Sequence, residues 1–185
     1  MKGDILIVDH QPDSLNLLNN LLISHGYEVR TATTGSRALR MTALHPPELI
    51  LLDINLPGTG GLEVCRRLKV EPATASIPIL FLGAQFDLTD KLAAFEAGGQ
   101  DFIARPFVAV ELLARVRCHL RLYQKQRDLE AQVDGALDSW AGAYDALQAL
   151  SQRAMDVREC ERQHLARDSR DEQYAKSFST KVGLQ

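Results

Sequence analysis

Asp53 closes the apolar run Leu49-Ile50-Leu51-Leu52 and is followed by Ile54-Asn55-Leu56-Pro57-Gly58, with Gly60-Gly61 just beyond. That pattern reads as a strand buried on both faces that carries one carboxylate to its carboxyl end, the edge of an open parallel sheet where ligands bind. A second acid, Asp9, ends the run Asp4-Ile5-Leu6-Ile7-Val8 in the same way, with His10 next to it. Gly83-Ala84 ends the run Ile77–Leu82, and Arg105 follows Asp101-Phe102-Ile103-Ala104. Two carboxylates about 5 Å apart repel by about 3 kcal/mol at an effective dielectric near 20. A cation must therefore hold Asp9 and Asp53 together.

The elements that must place these residues follow from periodicity. Pro12 suits the first turn of a helix carrying Leu15, Leu18 and Leu22, which Gly26 stops. Tyr27 to Ala32 alternates as a strand, a helix runs from about Ser36 to Leu44, and Pro46-Pro47 ends it. Leu62, Val64, Cys65 and Leu68 line one side of a third helix, with Arg66, Arg67 and Lys69 opposite. Thr89 or Asp90 can cap a fourth helix that ends on Gly98-Gly99, and a fifth starts near Val110. Five alternations with short connections predict an α/β fold, a doubly wound five-stranded parallel sheet of flavodoxin-like order 2-1-3-4-5 with a long C-terminal helix. In that order Asp9 and Asp53 leave neighbouring strands, and Gly83 and Arg105 share their edge.

The totals narrow the function classes. The chain has 185 residues, a net charge of −3, 45% hydrophobic and 24% charged side chains, which is ordinary for a globular protein with a real core. Residues 1–122 carry 12 basic and 13 acidic side chains and residues 123–185 carry 9 and 11, so neither part has the positive field that direct nucleic-acid binding needs. Cys65, Cys118 and Cys160 form no metal-type spacing and fit a reducing cytoplasm. No apolar run approaches a membrane span. The P-loop and dinucleotide glycine patterns are missing, and the acidic Asp9-His10-Gln11-Pro12-Asp13 would repel a flavin phosphate. The chain is expected not to be an enzyme.

The ordered set Ile5-Leu6-Ile7-Val8-Asp9, Leu51-Leu52-Asp53-Ile54-Asn55-Leu56-Pro57-Gly58, Pro78-Ile79-Leu80-Phe81-Leu82 and Gly98 to Phe107 resembles the receiver domain of bacterial two-component response regulators. The resemblance implies that Asp53 accepts a phosphoryl group from a histidine kinase. It implies magnesium held by Asp53, by acids after the first strand and by the backbone carbonyl of Asn55, with a hydroxyl and an ammonium completing the clamp.

Three positions depart from that pattern. His10 replaces the second acid; its nitrogen suits zinc or manganese better than magnesium, and a solvent-facing loop histidine is the alternative. Gly83 replaces the hydroxyl and leaves the backbone N–H groups of Gly83 and Ala84 to meet phosphoryl oxygens. Arg105 replaces the lysine and could fork onto a phosphoryl oxygen or onto Asp53 itself. Phe102 occupies the place of the family's switch aromatic, where a core phenylalanine fits equally well. Two readings follow: a phosphorelay receiver, or a degenerate receiver serving as a phosphorylation-independent dimerisation and interaction scaffold.

The helix that begins after the fifth strand does not stop where a receiver's last helix should. With a at 119, 126, 133, 140, 147 and 154 and d at 122, 129, 136, 143, 150 and 157, ten of twelve positions are apolar. That predicts a coiled coil dimerising through Leu122, Leu129, Val133, Trp140, Leu147 and Leu150. The expected divisions are a receiver at 1–122, a coiled-coil extension at 123–157 and a polar, frayed tail at 158–185. The expected partners are a histidine kinase, a second copy and a downstream protein, with no nucleic acid and no membrane.

Overall fold

A computed structural model of the chain describes residues 3–84 and 88–182. Its strands are β1 (Asp4–Val8), β2 (Glu28–Ala32), β3 (Leu49–Asp53), β4 (Ile79–Gly83) and β5 (Asp101–Ala104). Its helices are α1 (Pro12–Ser24), α2 (Gly35–Leu44), α3 (Gly61–Val70), α4 (Leu88–Glu96) and α5 (Ala109–Val182). The five strands form one sheet in the order β2-β1-β3-β4-β5, all pairs parallel, as the alternation of elements predicts. Thr89 and Asp90 lie inside α4 rather than ahead of it, so neither is its cap, and the positions before Leu88 fall outside the described residues.

Each face of the sheet has its own core. Leu6, Val8, Ile50, Leu52, Ile79 and Phe81 pack with Ala38, Val64, Cys65, Leu68, Ala94 and Ala97 from α2, α3 and the α4 end. Ile5, Ile7, Leu49, Leu51, Leu80, Leu82 and Ile103 pack with Leu15, Leu18 and Leu22 of α1 and Leu112, Val116 and Leu120 of α5. Burying each of these large side chains is worth about 2 kcal/mol, so β1, β3 and β4, apolar on both faces, are the best-held part of the sheet. Burial pushes the Cys65 thiol up to about 11, despite Lys69 and Arg66 nearby, and its Sγ lies 3.2 Å from the Ala97 carbonyl.

One glycine fixes the height of the site. A Cβ on Gly61 would lie 2.2 Å from the Asp53 carbonyl oxygen and 2.9 Å from Ile54 Cα, because α3 starts pressed against the end of β3. Gly61→Ala is therefore expected to cost about 2–3 kcal/mol, read as a lowered urea midpoint with unchanged slope. A loss below about 0.5 kcal/mol would mean that the two backbones separate freely there.

The chain divides into a compact unit ending at Leu129 and a second unit from Glu130. Helix α5 is continuous in secondary structure past Val157, where the apolar repeat ends, to Val182. Its first turns obey the sheet, with Leu112, Val116, Leu120 and Tyr123 buried on one side. His119, the first a position of the heptads, belongs to this docked stretch, its Nε2 3.2 Å from Asp101 Oδ2. Among the described residues no helix is long and apolar enough to cross a membrane.

Arg115 forks onto Asp101, Nη1 donating to Oδ1 at 2.9 Å and to Oδ2 at 2.8 Å. Burial raises the Asp101 carboxyl, but hydrogen bonds from Arg115, the Phe102 N–H and His119 outweigh it and hold the group below its usual 3.8. A carboxyl depressed on folding stabilises the native state above its unfolded value, and that contribution is lost as pH falls through the lower folded value. Wild type is thus expected to be more stable than Asp101→Asn at neutral pH, with the gap closing as pH falls below 3.8; equal stability at pH 7 would contradict this.

Candidate functional site

Strand register brings the predicted residues to one edge. Val8 pairs with Leu52, Asp53 with Leu82 and Gly83 with Ala104, so Asp9, Asp53, Gly83 and Arg105 all lie at the carboxyl ends of their strands. Asp9 is fully buried and Asp53 is 2% exposed. Ionisable groups this deep need partners, and each of the four carboxylate oxygens has one.

Asp9 Oδ1 accepts from the Gln11 N–H at 2.8 Å, which sets the turn from β1 into α1. Its Oδ2 accepts from Arg105 Nη2. Asp53 Oδ1 accepts from the Asn55 N–H at 3.1 Å, and Oδ2 lies 2.9 Å from His10 Nδ1. His10 Nδ1 also stands 3.9 Å from Asp9 Oδ1. One oxygen or nitrogen from each of Asp9, His10 and Asp53 lies within 4.8 Å of the others.

One sequence expectation is corrected by this geometry. Arg105 pairs with Asp9 and not with Asp53, because His10 and Asn55 already take the oxygens of Asp53 while Asp9 Oδ2 is open to the guanidinium. The strand between β3 and β5 ends at Gly83, which sets no side chain against an arginine crossing the edge. His10 is an exposed loop histidine, its side chain 36% exposed, yet its Nδ1 turns to the pocket and lies 2.9 Å from Asp53 Oδ2. The Arg105 Nε is buried and has no hydrogen-bond partner.

Phe102 is half-buried against the core beside β4, its ring edge-on to Phe95 at 6.2 Å between centroids and beneath Lys91 Nζ at 4.6 Å. Ala84 is exposed next to the buried Gly83, and residues 85–87, which follow them, are outside the described set. The Asp101–Arg115–His119 cluster had no local signal, since β5 meets these residues of α5 only in the fold.

Leu122, Leu129, Val133, Trp140, Leu147 and Leu150 are each more than half exposed in the single chain. Leu137 and Tyr144, at e positions, are exposed beside them at 62% and 61%, so the apolar stripe of α5 is wider than the predicted a/d seam. The alternation of Ala136 and Ala143 at d with these larger neighbours was the available signal.

A buried acidic pair at the carboxyl edge of a doubly wound sheet, flanked by a glycine and a cation from the next two strands, defines an acidic pocket at the edge where such sheets bind ligands. The response regulator receiver domain family matches residues 5–117, and the chain belongs to that family. Response regulator PleD of Caulobacter vibrioides is 37% identical over 168 residues, 88% of this chain and 36% of that protein. The transcriptional regulatory protein KdpE of Mycobacterium tuberculosis is 37% identical over 129 residues, 70% of this chain and 56% of that protein. The chain thus spans about a third to a half of these relatives. A CheY-like response regulator receiver domain protein from Methanospirillum hungatei superposes with a TM-score of 0.62 at 27% identity, covering 66% of this chain and 97% of that one. Nothing in these similarities supports the phosphorylation-independent scaffold.

Receiver domains bind magnesium at an acidic pocket in this place and are phosphorylated by histidine kinases. Magnesium demands an octahedron of oxygens. The residues present fit it poorly: two carboxylates, one oxygen of which is held by Arg105, and an imidazole nitrogen where a third acid is expected.

Proposed function

We propose that this chain is a phosphorelay receiver that takes a phosphoryl group on Asp53 from a histidine kinase and passes the state on through protein contacts. The observation that carries the reading is Asp53 itself, a buried carboxylate at the strand edge whose Oδ1 is pinned by the Asn55 N–H while Oδ2 meets only the movable His10 ring. Oδ2 is the attacking oxygen: a P–O bond to Asp53 forms as the P–N bond of a phosphohistidine breaks. His10 must swing off Oδ2 for this to occur, which its partial exposure allows.

The incoming phosphoryl oxygens are met by the backbone N–H groups of Gly83 and Ala84 and by Arg105, whose free Nε–H and planar fork suit a phosphate. With Gly83 in place of a hydroxyl, the readout in this reading runs through Arg105 and its release of Asp9. Incubation with a small phosphodonor should add one phosphoryl group per chain by intact mass, labile to hydroxylamine as an acyl phosphate is; no adduct would defeat the reading.

Output in this reading is through protein, in the cytoplasm, as the slightly acidic balance of both parts supports. The exposed stripe on α5 pairs two copies as a homodimer and leaves the receivers free to meet the kinase and a downstream protein. The full chain is expected to be dimeric by light scattering and a chain ending at Leu129, the last residue of the first compact unit, monomeric and folded. A dimeric truncated chain would place the interface on the receiver instead.

A further inference from the structure

We infer that the Asp9–His10–Asp53 pocket selects a zinc-class ion (Zn²⁺, Co²⁺ or Ni²⁺) over magnesium, with His10 Nδ1 as the ligand that decides. The inference deepens the pocket reading above but does not require Asp53 to be phosphorylated.

The ligand types come first. Imidazole suits zinc, cobalt and nickel, whereas magnesium takes oxygen and gives up its waters reluctantly. The nitrogen is aimed: Nδ1 lies 2.9 Å from Asp53 Oδ2, 3.9 Å from Asp9 Oδ1, and the three residues' ligand atoms fall within 4.8 Å of one another. Around an ion with bonds of about 2.1 Å, neighbouring ligand atoms stand about 3.0–3.4 Å apart. The His10–Asp53 pair at 2.9 Å falls just below that range's lower limit and the His10–Asp9 pair at 3.9 Å beyond its upper one, so a small shift of the exposed His10 ring from Asp53 toward Asp9 brings both within it.

The number of ligands points the same way. Arg105 holds Asp9 Oδ2, and the N–H groups of Gln11 and Asn55 sit on Asp9 Oδ1 and Asp53 Oδ1. Asp53 Oδ2 is bonded only by His10, and Asp9 Oδ1 keeps a second lone pair beside its Gln11 N–H bond, so one oxygen from each carboxylate with His10 makes three protein ligands. Three ligands and one open position is the set of a four-coordinate ion that exchanges its fourth partner, and it falls short of an octahedral oxygen cage. The buried Arg105 Nε without an acceptor is an independent sign that the pocket is unfinished as it stands. An anion at the open position would supply that acceptor.

The test is calorimetric titration of the full chain with Zn²⁺, Co²⁺ and Mg²⁺ in turn, with Co²⁺ visible absorption as a second readout. Wild type is expected to bind one Zn²⁺ or Co²⁺ per chain about a hundredfold more tightly than Mg²⁺. His10→Gln should weaken Zn²⁺ and Co²⁺ by about ten- to a hundredfold without gaining Mg²⁺, and His10→Asp should lose them while strengthening Mg²⁺. Equal or tighter Mg²⁺ binding by wild type overturns the inference, as does Zn²⁺ binding unchanged in His10→Gln, which would place the ion elsewhere on the chain. Phosphodonor uptake by the same samples is scored separately by mass, so a failed phosphoacceptor and a failed ion preference give different results.

Discussion

Asp53→Asn is expected to reduce phosphoryl uptake from a small phosphodonor to background, a complete loss by intact mass, while leaving the fold intact. The amide is nearly the same size as the carboxylate and can still accept the Asn55 N–H that holds Oδ1 at 3.1 Å. What it lacks is a nucleophilic oxygen. Removing one of two buried acids also relieves their mutual repulsion, so the variant should be as stable as wild type or more stable by about 1 kcal/mol. Uptake that persists in Asp53→Asn would move the acceptor to Asp9 or His10; uptake lost together with the thermal transition would say only that the pocket had collapsed.

The second large effect is on stability. Arg105→Ala should cost about 3 kcal/mol, because it strips the guanidinium from the fully buried Asp9. That is a large share of the 5–15 kcal/mol that holds an ordinary domain together. Arg105 keeps 17% exposure, which places the cost at the lower end for a buried pair. If the unpaired charge is the cause, Asp9→Asn with Arg105→Ala must recover most of the loss in urea titrations. A double variant as unstable as the single one would assign the effect to lost packing of the arginine stem. Arg105→Lys keeps the charge but not the fork, so it should fall between the two.

Cys65 offers a smaller check on the same packing. Its thiol, buried and raised to about 11, should resist alkylation in the native chain while the exposed Cys118 reacts. Labelling of Cys65 would report that α3 lifts from the sheet.

The amino-acid order by itself determined the elements, their parallel order and the meeting of Asp9, Asp53, Gly83 and Arg105 at one edge. These depend on local rules: apolar runs between turn residues make strands, amphipathic stretches make helices, and short alternating connections leave one topology. Gly61, pressed on the Asp53 carbonyl, is part of the same legible pattern of turn after strand.

Side-chain pairing within the site was not legible. Whether Arg105 reaches Asp53 or Asp9 turns on which oxygens are already taken, and that was settled by His10 and by the Asn55 and Gln11 N–H groups. Distances of that kind are smaller than the strand spacing that sequence reasoning can resolve. A similar competition arises at His119, which fits position a of the apolar repeat but is engaged by Asp101 in the single chain. Only the folded sheet decides such contests, because the competing partners come from segments far apart in the chain and meet only when it closes.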